Sequence, residues 1–243
     1  MNMLWMATPM LAEAEKEADF FIHYFAEYHI GGQTLYLTST HISLILISIV
    51  LIVFSIVVNR KIKHAGEVPS GIQNVAELVV EMLDNVVHSS MGENGKRFVN
   101  YISTIFIFIL ISNISGLFGL RAPTADYGVT LPLGLITFGL IHYNGVKKNK
   151  VKHFTNLFQP IPLLFPINLI GEIAVPLSLS LRLFGNVLSG TVMMGLLYGL
   201  TPFWAQIGIP AAAHVYFDIF SGAIQTYVFC MLTMVYVNDK IAD

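Results

Sequence analysis

The chain has 243 residues, of which 55% are hydrophobic and only 12% charged, with a mean hydropathy of +0.68. Soluble domains carry roughly 25% charged residues, so the composition excludes an ordinary water-soluble domain. The formal net charge of −2 gives no basis for nucleic-acid binding, and the single cysteine, Cys230, leaves no disulfide framework and no CxxC pair.

Residues 1–37 are mixed, acidic from Glu13 to Asp19 and aromatic from Phe20 to Tyr28. The stretch before Glu17 has neither the basic n-region nor the full apolar core of a cleaved signal peptide. Insertion is then expected to start with the first span, about 38–58, which is charge-free apart from His41 at its edge and long enough for a ~30 Å hydrocarbon core. Arg60, Lys61 and Lys63 close it. Over about 71–91, Ile72, Val75, Ala76, Val79, Leu83, Val86 and Val87 recur at helical spacing, while Gln73, Glu77, Glu81 and Asp84 lie mostly elsewhere. That pattern predicts an amphipathic helix at the membrane interface. A second span follows Lys96 and Arg97, over about 99–120, and a third covers about 127–143. Beyond the lysines at 147, 148, 150 and 152 come two stretches, about 163–200 and 203–237, each longer than a perpendicular crossing requires. Each is a strongly tilted helix or one broken at its internal Gly and Pro residues. The expected fold is an all-α polytopic membrane protein with about five transmembrane helices and one interfacial helix, the last two spans long and tilted, in a single membrane domain over 38–243.

With five spans, Arg60, Lys61, Lys63, Lys96, Arg97, Lys147, Lys148, Lys150, Lys152 and Lys240 fall on one face, and only Lys16 and Arg121 on the other. The positive-inside rule puts residues 1–37 outside and the C-terminus in the cytoplasm. No inverted repeat of the secondary-transporter kind is evident.

Between Leu163 and Tyr198 the only acidic or basic side chains are Glu172 and Arg182. A guanidinium stays protonated at physiological pH, and near a bilayer midplane it costs about 2.5–3.5 kcal/mol on insertion scales. Intramembrane ionisable residues are read by default as parts of ion or substrate paths. At 100° per residue, Ser178, Arg182, Asn186 and Gly190 form one stripe of polar or small residues, and His214, Asp218, Ser221, Gly222 and Gln225 a second on the last span. Glu172 lies ten residues before Arg182, off its stripe and nearer the cytoplasmic end. The plain alternative is a structural ion pair between Arg182 and Asp218, which leaves Glu172, His214 and Gln225 unexplained. The other reading is two polar tracks flanking a fixed positive charge, built from the carboxylates and histidines that make intramembrane proton relays. For His214 a place at the outer interface competes with that role. Asn113 and Ser115 are weaker candidates, because small polar residues often join helices.

The run Leu179-Ser-Leu-Arg-Leu-Phe-Gly-Asn186 resembles subunit a of the bacterial F-type rotary ATP synthases. The segment from Ala223 through Gln225 to Tyr236 resembles that family's terminal helix, and Pro123–Asp126 with Val129–Leu131 its loop into the third span. The likeness covers most of the chain from about Leu35 onward. It implies a plasma-membrane stator subunit facing a ring of c subunits, alongside the peripheral-stalk subunit b and the rest of the complex. Two offset half-channels would carry H⁺ (or Na⁺) to and from a ring carboxylate. Arg182 matches the family's essential arginine, Asn186 its nearby asparagine and Gln225 its terminal-helix glutamine. Glu172 resembles a cytoplasmic-side acid, and Asp218 falls where members place a His or Glu in the outer half-channel. Members often carry another acid where this chain has Thr191, which leaves Asp218, with Asp126 behind it, as the expected acid of the outer path. There is no GxxxxGK[ST] loop for nucleotide phosphates, so this chain is expected to be an ion path rather than an enzyme by itself, with no cofactor and no metal. The alternative class is a stand-alone secondary transporter in which Arg182 binds an anionic substrate and Asp218 couples a cation.

Overall fold

A computed structural model of the chain describes residues 24–30, 33–63, 71–150, 152–158, 161–200 and 208–241. The N-terminal segment up to residue 23 and positions 203–207 of the expected last span lie outside the described residues. Among the described residues, five helices have the length and apolarity to cross a membrane, as the charge-free runs predict.

The described chain begins with an antiparallel hairpin, β1 (Tyr24–Ile30) paired with β2 (Gln33–Thr38), which the mixed composition of the N-terminal segment did not signal. β2 runs directly into α1 (Ser39–Lys63), whose only buried residues, Thr40, Ser43 and Ile47, sit three and four positions apart on one narrow stripe. The rest of α1 exposes Ile, Val, Leu and Phe side chains, a surface stable only against lipid or another apolar partner.

The amphipathic helix α2 runs over Ile72–Met91. Its buried face is narrower than the sequence pattern suggests: Leu83, Val87 and Met91 are buried, whereas Val75 is 61% exposed. A 3₁₀ stretch, Gly92–Arg97, leads into α3 (Val99–Ile114), and a second one, Ser115–Phe118, tightens its end. Helix α4 (Tyr127–Asn149) starts where predicted but continues two turns into the lysine-rich segment. Asp126 caps it, accepting a 2.8 Å hydrogen bond from Gly128 N. This satisfies one of the free amides at the helix start.

Helix α5 (Phe165–Leu200) is unbroken over 36 residues despite Pro176. At 1.5 Å per residue it spans roughly 54 Å, well beyond the ~30 Å hydrocarbon core. The last helix, α6 (Ile209–Ile241), is also continuous, but residues Val215–Ser221 within it are π-helical. The shared core collects Val87 and Met91 of α2, Ile102, Ile105 and Ile109 of α3, Ile141 of α4, Leu179 and Leu183 of α5, and Phe229, Met234 and Val237 of α6.

The α4–α5 contact depends on Gly134. A Cβ at that position would lie 2.6 Å from the Pro176 carbonyl oxygen, a backbone atom that cannot swing aside. Gly134→Ala is therefore expected to destabilise the protein by about 1–3 kcal/mol through overpacking. Gly139→Ala on the same helix, where nothing lies within 4 Å, is the control. Thermal unfolding of the two variants in detergent checks this; equal midpoints would show that the helices do not depend on that contact.

Candidate ion path

Helices α5 and α6 run antiparallel, and their register sets which candidate residues meet. At one end Tyr198 Oη lies 3.2 Å from His214 Nε2. One turn inward, His214 Nδ1 and Asp218 Oδ2 are 2.6 Å apart. With its proton on Nδ1, His214 donates to Asp218 and accepts from the Tyr198 hydroxyl. Both His214 and Asp218 are half-buried, and Asp218 faces the end of α3, where a Cβ at Gly116 would stand 3.5 Å from its carboxylate. Deeper again, Asn186 Nδ2 donates to Ser221 Oγ at 3.1 Å. One further turn along both helices brings Arg182 level with Gln225.

Arg182 is exposed, as are Ser178 and Ser189, while Leu179 and Leu183 on the opposite face are buried. Gly171, Ala174, Ser178, Arg182, Gly185 and Ser189, at steps of three and four, keep to this open face of α5. No Cβ contact exists within 4 Å at Gly171 or Gly185. Among the described residues, no carboxylate lies within ion-pair distance of Arg182, and the acid of the plain alternative, Asp218, is taken by His214. Gln225 is buried, and its Nε2 has no hydrogen-bond partner among the described residues. A buried amide left without a partner is uncommon enough to need an explanation.

At the other end, Glu172 Oε1 accepts a 2.9 Å hydrogen bond from Lys240 Nζ, both side chains being about one-fifth to one-quarter exposed. The pair borders a cavity of about 690 Å³ that also includes Asn149, Asn168 and Asp239. A smaller cavity of about 360 Å³, walled by Phe138, Phe158 and Phe165, meets it at Glu172.

Two of the expected stripes are corrected. Steps of four advance 40° around an α-helix, so the series Ser178, Arg182, Asn186, Gly190 winds off the open face. Asn186 reaches Ser221, and Gly190 is buried against Phe217. On α6, the π segment closes i→i+5 bonds and shifts the register downstream of Asp218. Asp218 and Gly222 face α3, whereas Ser221 faces α5, so His214, Asp218, Ser221, Gly222 and Gln225 do not form one stripe.

Asn113 is buried and saturated. Its Nδ2 donates to Gly222 O at 3.0 Å and to Thr226 Oγ1 at 3.2 Å, and its Oδ1 accepts from Thr124 Oγ1 at 2.7 Å, the helix-joining role open to such residues. Ser115 donates to Ser112 O, and Thr191 to Val187 O within its own helix. Asp126 is the cap of α4 described above. Among the described residues, no group of three or more His, Cys, Asp or Glu side chains gathers as metal ligands would.

Sequence reasoning missed Tyr198 and Lys240. Tyr198 served only as the edge of an apolar run, and Lys240 only as a charge fixing orientation. A single lysine one residue from the end of an apolar helix, with a lone carboxylate near the start of its neighbour, was the available signal.

Comparison with known proteins identifies the family. The family model for the ATP synthase A chain matches residues 41–238. The sodium-ion-specific ATP synthase subunit a of Propionigenium modestum is 40% identical over 198 residues, covering 74% of this chain and 67% of the relative. Subunit a of Bacillus pumilus is 36% identical, covering 81% of this chain and 88% of the relative. The chloroplastic subunit a of Stigeoclonium helveticum is 34% identical, covering 91% and 90%. The chain belongs to the ATP synthase subunit a family, a membrane component of the Fo sector.

Proposed function

We propose that this chain is the stator of a rotary ion motor in the cell membrane, providing two offset half-channels against a ring of c subunits. In this reading it sits with subunit b and the rest of the F1Fo complex. The supporting observation is the axial order along α5 and α6. Tyr198, His214 and Asp218 lie toward one end, Arg182 and Gln225 at an intermediate level, and Glu172 with Lys240 toward the other. Glu172 is ten residues from Arg182 along α5, roughly 15 Å of helix rise.

A proton arriving from the outside is passed by the hydrogen-bonded group at Asp218 to a ring carboxylate. The protonated site turns away through lipid and returns from the other side. Arg182, on the small-residue face that lets another helix approach closely, stabilises the ionised form of the returning carboxylate and lowers its pKa. The proton is then released toward Glu172 and the polar cavity beside it. Arg182 also repels a proton hopping directly between the two halves, so passage requires rotation. Each charge moved releases about 2.3 kcal/mol per 100 mV, and this work turns the ring.

The basic ends of the helices are assigned to the cytoplasm and residues 1–37 to the outside, on the lysine and arginine asymmetry. The lengths of α5 and α6 are accommodated by strong tilt. ATP-driven ion uptake by vesicles containing the complex, with and without sodium, tests the reading. Uptake without sodium assigns H⁺; uptake that requires sodium assigns Na⁺, the ion of the Propionigenium modestum relative; uptake of neither ion would overturn the half-channel reading.

Glu172→Gln keeps the shape and removes titration. It should slow ATP synthesis roughly tenfold or more, given that a positioned acid–base group contributes about 10²–10⁴-fold, with the complex still assembled. Unchanged synthesis and pumping across a wide pH range would reduce Glu172 to the structural partner of Lys240.

A further inference from the structure

A second polar cavity, of about 490 Å³, lies where α3 begins and α4 and α6 end, apart from the Glu172 cavity and from every residue of the path. Its volume falls in the range of small-ligand sites, ~300–1,000 Å³. Among the described residues that line it, four are cations, Lys96, Arg97, Lys147 and Lys148, and one is a carboxylate, Glu93. That carboxylate is already engaged: Lys96 Nζ is 2.6 Å from Glu93 Oε2. The hydrogen bond from Lys96 holds the Glu93 carboxyl below its ordinary pKa and raises that of Lys96, so the pair stays ionised. Lys148 Nζ donates to the Ile241 carbonyl at 2.7 Å. Arg97 lies over the Phe98 ring at 4.8 Å and Lys147 within 6.0 Å of the Tyr143 ring. Neither has a carboxylate within ion-pair distance among the described residues, and an aromatic face attracts a cationic head group without neutralising its charge.

The geometry points to a binding site for a phosphate-bearing anion, and specifically for the headgroup of an anionic phospholipid. A phosphodiester supplies a counter-charge for Arg97 and Lys147, and Arg and Lys donors suit it. The source is decided by what surrounds the cavity. It opens at the ends of three apolar spans, and next to it α4 exposes Tyr143 and Val146, at 65% and 38%, as an apolar wall along which an acyl chain can lie. Basic pockets between transmembrane helices on the cytoplasmic side are suited to lipid headgroups.

The test uses the whole complex in nanodiscs containing a phosphatidylglycerol with a photoreactive headgroup, followed by peptide mapping of this subunit. Labelling is expected within 92–97 and 143–150. Unlabelled phosphatidylglycerol should compete it away; phosphatidylcholine and inorganic phosphate should not. Each cation near an anionic lipid surface is worth about a fivefold preference, so the double variant Arg97→Gln/Lys147→Gln should label roughly 25-fold less. The competition arm uses the unaltered protein and stands even if the double variant does not assemble. Equal labelling by a phosphatidylcholine probe, or undiminished labelling of an assembled double variant, would overturn the site. Competition by inorganic phosphate as effective as that by phosphatidylglycerol would overturn the lipid assignment.

Discussion

Arg182→Ala is expected to abolish ATP synthesis and ATP-driven pumping while the complex still assembles. The side chain is exposed on the open face of α5 and makes no ion pair with a described residue, so its loss opens no cavity and strands no buried partner. What disappears is a permanent charge. A cation within ~4–6 Å lowers a carboxyl pKa by about 1–3 units, so ion release from the ring should slow by roughly 10- to 1,000-fold, and the barrier to direct proton leakage should fall. Two measurements separate these effects: ATP synthesis in energised vesicles, and passive proton conductance after removal of F1. Arg182→Lys should recover little, because a compact ammonium loses its proton more readily when desolvated and lacks the planar, always-charged fork. Normal coupled synthesis by Arg182→Ala would remove the central charge from the mechanism.

The five spans were legible because apolar length and the absence of charge are properties of local sequence. The end of α4 was not, since helical hydrogen bonding continues past the last apolar residue until Lys150, at φ +50°, ends it. The hairpin before α1 had a local cue, the Gly31-Gly32 pair between two runs rich in Tyr, Thr and Leu, which a reading of that segment by composition alone passes over. At the candidate site, Arg182, Glu172 and Asp218 stood out because charge is costly in an apolar run. Their partners depended on antiparallel packing: Lys240 meets Glu172 across 68 positions, and Tyr198 meets His214 across a segment outside the described residues. The polar stripe on α6 was misread for a different reason. A count of 100° per residue assumes an unbroken α-helix, and seven π-helical residues from Val215 to Ser221 invalidate it at the acid itself.

Asp218→Asn tests whether that distortion serves the ion path. π segments inside α-helices frequently occur at functional sites, and this one turns Asp218 toward Gly116 while keeping it 2.6 Å from His214. An asparagine fits the same space and can still accept from His214 Nδ1, so packing should survive. It cannot take up and release a proton. If Asp218 is the acid of the outer half-channel, Asp218→Asn should reduce ATP synthesis roughly 10²-fold, in line with the contribution of a positioned proton-transfer group. Asp218→Glu and Asp218→His should retain part of the rate, because each restores a titratable group, though the small clearance at Gly116 will hold both below the parent. His214→Gln should cost less than Asp218→Asn, since an amide can still hydrogen-bond to the carboxylate. The flanking alternatives are weak: Thr191 bonds back to Val187 within its own helix, and Asp126 is held in its cap by Gly128 N. The decisive comparison is the rate of synthesis under a fixed proton gradient, with assembly checked on native gels. If Asp218→Asn makes ATP at the parental rate, protons reach the ring through water past Asp126, and the Tyr198–His214–Asp218 chain is a helix-packing device.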